Sequence, residues 1–105
     1  MAHWSLVTYT RPNTGVSWYT PGSDVMTVVN AQLNSDPKLI ESYEVTESGD
    51  GLKQYYKIAF KDESTSEALA ENATYLANVT ERNNYCTANN ITCNVQQFGA
   101  TEPTI

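Results

Sequence analysis

Hydrophobic and polar positions alternate most cleanly over residues 52–60, LKQYYKIAF. Leu52, Tyr56, Ile58 and Phe60 fall on one side of an extended chain, with the polar Gln54 among them. Lys53, Tyr55, Lys57 and Ala59 fall on the other. Period two in β-forming residues predicts a strand whose first side needs a core to lie against. Three other stretches read as strands. Residues 4–10 (WSLVTYT) carry large apolar groups on both sides, which predicts a central strand covered on both faces. Residues 41–47 (ESYEVTE) are apolar only at Tyr43 and Val45. Residues 91–98 (ITCNVQQF) place Ile91, Cys93 and Val95 opposite Thr92, Asn94, Gln96 and Phe98.

Between the strands the period changes. Val25, Val28, Val29 and Leu33 recur at helical spacing, although Gln32 intrudes on the stripe. Ser23 suits the N-cap and Asp24 the first turn, and Pro37 ends the segment near Asp36. A second helix opens at Ser64, whose spacing to Glu67 fits a capping box, and runs to about Tyr85. Leu69, Ala73, Leu76 and Val79 trace its apolar stripe, with Ala70 and Thr80 flanking. Glu67, Glu71, Asn78 and Arg82 fall on the opposite side.

Ser48-Gly49-Asp50-Gly51 is a strong hairpin turn. For Tyr43 and Val45 to share a face with Tyr56 and Ile58, odd-numbered residues must pair with even-numbered ones. A two-residue turn at Gly49-Asp50, or a four-residue loop over residues 48–51, sets Tyr43 opposite Tyr56 and Val45 opposite Gln54. Glu44 then faces Tyr55, and Thr46 faces Lys53.

The element order is β-α-β-β-α-β in a single domain spanning residues 1–105. This is an α+β, ferredoxin-like pattern: an antiparallel sheet in the order 4-1-3-2 with two helices on one face. The uncovered face receives Glu44, Lys53, Tyr55, Lys57, Asn94 and Phe98, and either Trp4 and Leu6 or Val7 and Tyr9 from the first strand. Polar with aromatic anchors, it suits contact with a second copy. Residues 99–105 read as a loose tail or an addition to a partner.

Element order and length together resemble the dimeric α/β-barrel superfamily of small ferredoxin-like proteins. That superfamily includes cofactor-free monooxygenases of antibiotic biosynthesis, stress-responsive barrel proteins and muconolactone isomerases. The resemblance implies a homodimer through the open sheet face. It implies no particular activity.

Composition narrows the partners. With 6 Lys and Arg against 12 Asp and Glu, the chain carries a net charge of −6, which argues against a nucleic-acid backbone or an anionic membrane surface. No signal peptide is read in MAHWSLVTYT, and the expected compartment is the cytoplasm. The six residues between Cys86 and Cys93 are not a zinc pattern; two reduced thiols or a disulfide both fit the spacing. Three N-x-T triplets, at Asn72, Asn78 and Asn90, reflect an Asn- and Thr-rich composition.

Candidate chemistry is sparse. His3 is the only histidine, which leaves no multi-histidine metal site, and no metal or cofactor is expected. Lys53, Lys57 and Lys61 read as a solvated row. The residues that suit a pocket are aromatic. Tyr43 and Tyr56 face the helices and need partners for their hydroxyls. Residues 11–22 form a loop with Trp18 and Tyr19 inside it, either lidding that pocket or packing on a neighbour. Arg11, where the strand meets the loop, suits a carboxylate. The functional expectation is cofactor-independent chemistry on a small aromatic molecule, with a tyrosine moving the proton. The alternative is a non-catalytic ligand-binding or protein-interaction module.

Overall fold

Each of the four alternating stretches forms a strand. The computed structural model, which describes residues 2–105, runs β1 (His3–Thr10), α1 (Ser23–Leu33), β2 (Ile40–Glu47), β3 (Lys53–Phe60), α2 (Glu63–Ala70), α3 (Ala73–Ala88) and β4 (Thr92–Gly99). The strands form one antiparallel sheet in the order β2-β3-β1-β4, which counted from the β4 edge reads 4-1-3-2. This α+β arrangement of an open four-stranded sheet with three helices is compatible with a ferredoxin-like fold. Among the described residues no helix is long and apolar enough to cross a membrane.

Strand parity sets which side chains meet the helices. Val7 pairs with Tyr56 and with Val95, and Tyr9 with Gln54 and Cys93, so these residues share the helix-covered face. Trp4, Leu6 and Thr8 take the other face. The helix-side core is divided in two. Val7, Tyr9, Cys86 and Ile91 form one cluster, with Trp18, Tyr56 and Tyr85 packed on it. Val29, Ile40, Phe60 and Leu69 form the other, with Met26, Tyr43, Ile58 and Tyr75 around it.

The hairpin register differs from expectation by two residues. Val45 faces Tyr56, Tyr43 faces Ile58, Glu44 faces Lys57 and Thr46 faces Tyr55. The turn itself explains the shift. Ser48 N–H donates to the Lys53 carbonyl at 2.9 Å, leaving residues 49–52 as the loop. The Asp50 carboxylate accepts from the Ser48 hydroxyl at 2.7 Å and from Leu52 N–H at 3.0 Å. Gly51 takes φ +73°, a left-handed conformation open to glycine. Leu52 therefore belongs to the loop. A shift of two preserves every face, so parity survives. An irregularity between Ile40 and Ser42 then turns Ile40 inward opposite Phe60, where it is fully buried.

The expected second helix is two helices. Asn72 interrupts it: its side chain accepts from Tyr75 N–H at 3.0 Å and caps α3. The cap of α2 is Asp62, two residues earlier than the Ser64 capping box. Its carboxylate accepts from Thr65 N–H at 2.8 Å, the Thr65 hydroxyl at 2.7 Å and the Ser64 hydroxyl at 3.0 Å. A charged acceptor makes stronger hydrogen bonds than a hydroxyl would. Restarting the helix resets its phase. Leu76 is 49% exposed, while Tyr75, Asn78, Arg82 and Cys86 turn inward.

The tail turns back on the chain. Gly99 takes φ +59°, and Thr101 N–H returns to the Phe98 carbonyl at 3.2 Å. Glu102 then reaches Lys57 Nζ at 2.7 Å, and Pro103 is buried. Lys57 lies on the face away from the helices, as do Leu6 and Ala59. Those two are only 6% and 2% exposed. The tail is thus anchored through Lys57 on the face expected to meet a second copy.

Candidate functional site

The seam between the two core clusters is not filled. A slot of about 70 Å³ lies there, walled by residues of both clusters, among them Val7, Tyr9, Val29, Ile40, Phe60 and Leu69. Three tyrosines cross its floor. Tyr9 and Tyr56 meet edge to face with ring centroids 5.5 Å apart, and Tyr56 and Tyr43 do so at 5.9 Å. The Tyr43–Tyr56 contact survives the register shift because diagonal cross-strand neighbours stay within reach of aromatic rings.

The slot is chemically simple. Its titratable lining consists of Tyr9, Tyr43, Tyr56, Tyr75 and Arg82. Burial raises the pKa of Tyr9, Tyr43 and Tyr56 above the ordinary phenol value. Near neutral pH all three hydroxyls therefore keep their protons and serve as hydrogen-bond groups, not as bases. The Tyr43 hydroxyl is 4.0 Å from the Met26 sulfur, a weak acceptor.

Arg82 is the one cation of the slot wall. Its Nε and Nη2 donate to Asn83 Oδ1 at 3.3 and 3.2 Å, and no carboxylate among the described residues is ion-paired with it. Burial raises the pKa of Tyr9, Tyr19, Cys86 and Cys93; in all four the positive charge of Arg82 opposes that rise. Arg82 is thus electrostatically close to both the tyrosine floor and the thiols. The two cysteines are free.

Beside the slot runs an outer groove of about 420 Å³ between the start of α1 and α3. Val25 and Asn78 line both spaces. Asp24 and Glu81 make the groove acidic. Asn78 Oδ1 accepts from the Tyr19 hydroxyl at 2.6 Å and from Gly22 N–H at 3.4 Å, which pins the end of the 11–22 loop to α3.

Of the five residues expected to form a pocket, Tyr43 and Tyr56 line the slot. Tyr19 lies next to it, against Tyr85 and Asn78. Arg11 and Trp18 are not among the residues that wall the slot, although Trp18 packs on the Val7–Tyr9 cluster. Arg11 donates to the Gly51 carbonyl at 2.7 Å, the Val16 carbonyl at 2.8 Å and Glu47 at 3.1 Å. It also stacks on Trp18, 4.3 Å from the ring centroid. Trp18 Nε1 donates to the same Glu47 oxygen at 2.9 Å. These residues clamp the loop to the β2–β3 hairpin, and Arg11 has its donors engaged with the protein's own acceptors. His3 lies in β1, with Nε2 2.8 Å from Gln97 Oε1.

The sequence reading missed Tyr9, Asn78 and Arg82. Tyr9 was one of two open choices for the face of β1. Arg82 carried a signal: no acid stands three or four residues away on its helix, in a chain with 12 acids. Among the described residues, no group of three or more His, Cys, Asp or Glu side chains is placed to hold a metal ion. No protein-family model, no curated protein and no solved structure matches the chain.

Proposed function

We propose that the chain is a small-ligand-binding module, built on a scaffold resembling the dimeric α/β-barrel superfamily, and that its ligand seat is the slot between the core halves. The carrying observation is the slot's lining: tyrosine hydroxyls and one arginine set into an apolar seam, with no carboxylate, imidazole or thiol among the residues that wall it. Ligand sites share this make-up of apolar walls with a few convergent polar groups. General acid–base catalysis near pH 7 needs a group whose pKa lies close to that value, and buried tyrosines move away from it. Binding is therefore favoured over proton-transfer chemistry. Size also revises the expected ligand. A dry cavity of about 150 Å³ accepts benzene. At about 70 Å³ the slot is too small for an aromatic ring without widening.

A homodimer through the sheet face belongs to the same proposal in narrower form. The tail is anchored to that face through Lys57, so a second copy gains fuller access there when the tail leaves. The two free thiols support a reducing compartment such as the cytoplasm.

Ligand-observed NMR against a library of small organic molecules tests the binding reading. Binders should lose their signal change in Val25→Leu, which fills the slot, while that variant keeps its circular dichroism spectrum. Binders indifferent to that substitution would place the site elsewhere and end the proposal.

A further inference from the structure

We infer that Arg82 makes the slot selective for a short-chain monocarboxylate, whose apolar end enters the seam and whose carboxylate stays at the guanidinium. This rests on the ligand-binding reading above and adds the chemical class.

Three independent observations converge on it. The first is an unpaired charge. Arg82 is half-buried in a protein of net charge −6, yet neither ion pair of the described residues includes it. A guanidinium carries five N–H donors. Asn83 Oδ1 engages Nε and one Nη2 donor, which leaves the group able to take a carboxylate through its other edge. Arg11, the other arginine, shows what satisfaction looks like here: two carbonyls, a glutamate and an indole face surround it.

The second is size. If a cavity of about 150 Å³ takes the six carbons of benzene, one of about 70 Å³ takes about three carbons. The apolar lining from Val25, Met26, Val29 and Ile58 suits an alkyl group. A carboxylate kept at Arg82 then completes a molecule of butyrate size.

The third is charge outside the slot. Asp24 and Glu81 line the adjoining groove, where a second carboxylate on the ligand would be repelled. A monocarboxylate is therefore favoured over a dicarboxylate.

The test is an NMR titration of the full chain with butyrate, with its neutral isostere butyramide, and with succinate. Butyrate should shift the Arg82 Nε–H and the Val25 and Val29 methyls along one saturating curve. Butyramide should shift the methyls with at least tenfold weaker affinity, and succinate should leave them unchanged. Arg82→Gln should bring butyrate down to about the affinity of butyramide, and Arg82→Lys should fall between. Equal affinity for butyrate and butyramide in the unaltered protein would overturn the carboxylate assignment while leaving the slot as a ligand seat. Silence of the valine methyls toward both compounds would remove the slot reading itself.

Discussion

Tyr19 donates its hydroxyl to Asn78 Oδ1 at 2.6 Å and so couples the 11–22 loop to α3. Asn78 lines both the inner slot and the outer groove, which makes this bond the contact that fixes the wall between them. Tyr19→Phe should lower unfolding free energy by about 0.5–1.5 kcal/mol, the usual net worth of one such bond. Amide exchange should rise across residues 19–22 and stay unchanged in β3. Equal exchange in both proteins would show that Arg11 and Glu47 hold the loop unaided.

Ile40 should be the most costly truncation in the sheet. It is fully buried, faces Phe60 and packs with Val29 and Leu69. Ile40→Ala should cost about 2–5 kcal/mol in chemical denaturation. Leu76→Ala, on the exposed side of α3, should cost less than about 0.5 kcal/mol. A continuous stripe through Leu69 and Leu76, as periodicity alone suggests, would make the two leucines equally costly.

Acid should loosen α2 first. Hydrogen bonds from the Thr65 hydroxyl, Thr65 N–H and Ser64 hold the Asp62 carboxyl down to about 2, below its ordinary 3.8. Its folded pKa is the lower one, so its contribution is complete above about pH 4 and is lost as pH falls toward 2. In Asp62→Asn, exchange rates at residues 63–66 should lose that acid-induced rise. A rise of the same size in both proteins would assign it to other carboxylates.

The tail makes a prediction about assembly. A chain ending at Gly99 loses the Lys57–Glu102 ion pair and the buried Pro103. Light scattering should find the full chain monomeric at micromolar concentration and the shortened chain dimeric. A dimeric full chain would mean that the second copy binds over the tail or beside it.

Gly51 tests the hairpin. At φ +73° an added Cβ would stand 3.3 Å from Thr14 Cγ2 and 3.4 Å from Arg11 Nη2. Gly51→Ala should cost about 1–2 kcal/mol for the left-handed backbone alone. A neutral substitution would imply that the loop can adopt the shorter register.

What could be read from the sequence follows from what alternation can encode. Period two fixes faces, so Tyr43, Tyr56, Ile58 and Phe60 lie against the helices, and Phe60 meets Leu69. It is blind to a slip of two residues, because such a slip changes no face; the choice fell to the Asp50 carboxylate inside the turn. Helical periodicity likewise assumes an unbroken phase. Asn72 restarts the helix with a side-chain cap in a stretch where asparagine is common, so Asn78 and Arg82 turned inward against their polarity. The clamp on Arg11 and the cover over Lys57 join residues 36 and 45 positions apart, and local patterns carry no trace of such pairings.

The protein's two indoles stand near opposite ends of β1, each beside a different cation. Trp4 has the Lys57 ammonium 5.3 Å from its ring centroid, under the tail's ion pair, and Trp18 has the Arg11 guanidinium at 4.3 Å. Lifting the tail should change the emission of the first, and freeing the loop that of the second. Trp4→Phe and Trp18→Phe would separate the two signals, giving the molecule a built-in optical readout for each of these two contacts without any attached dye.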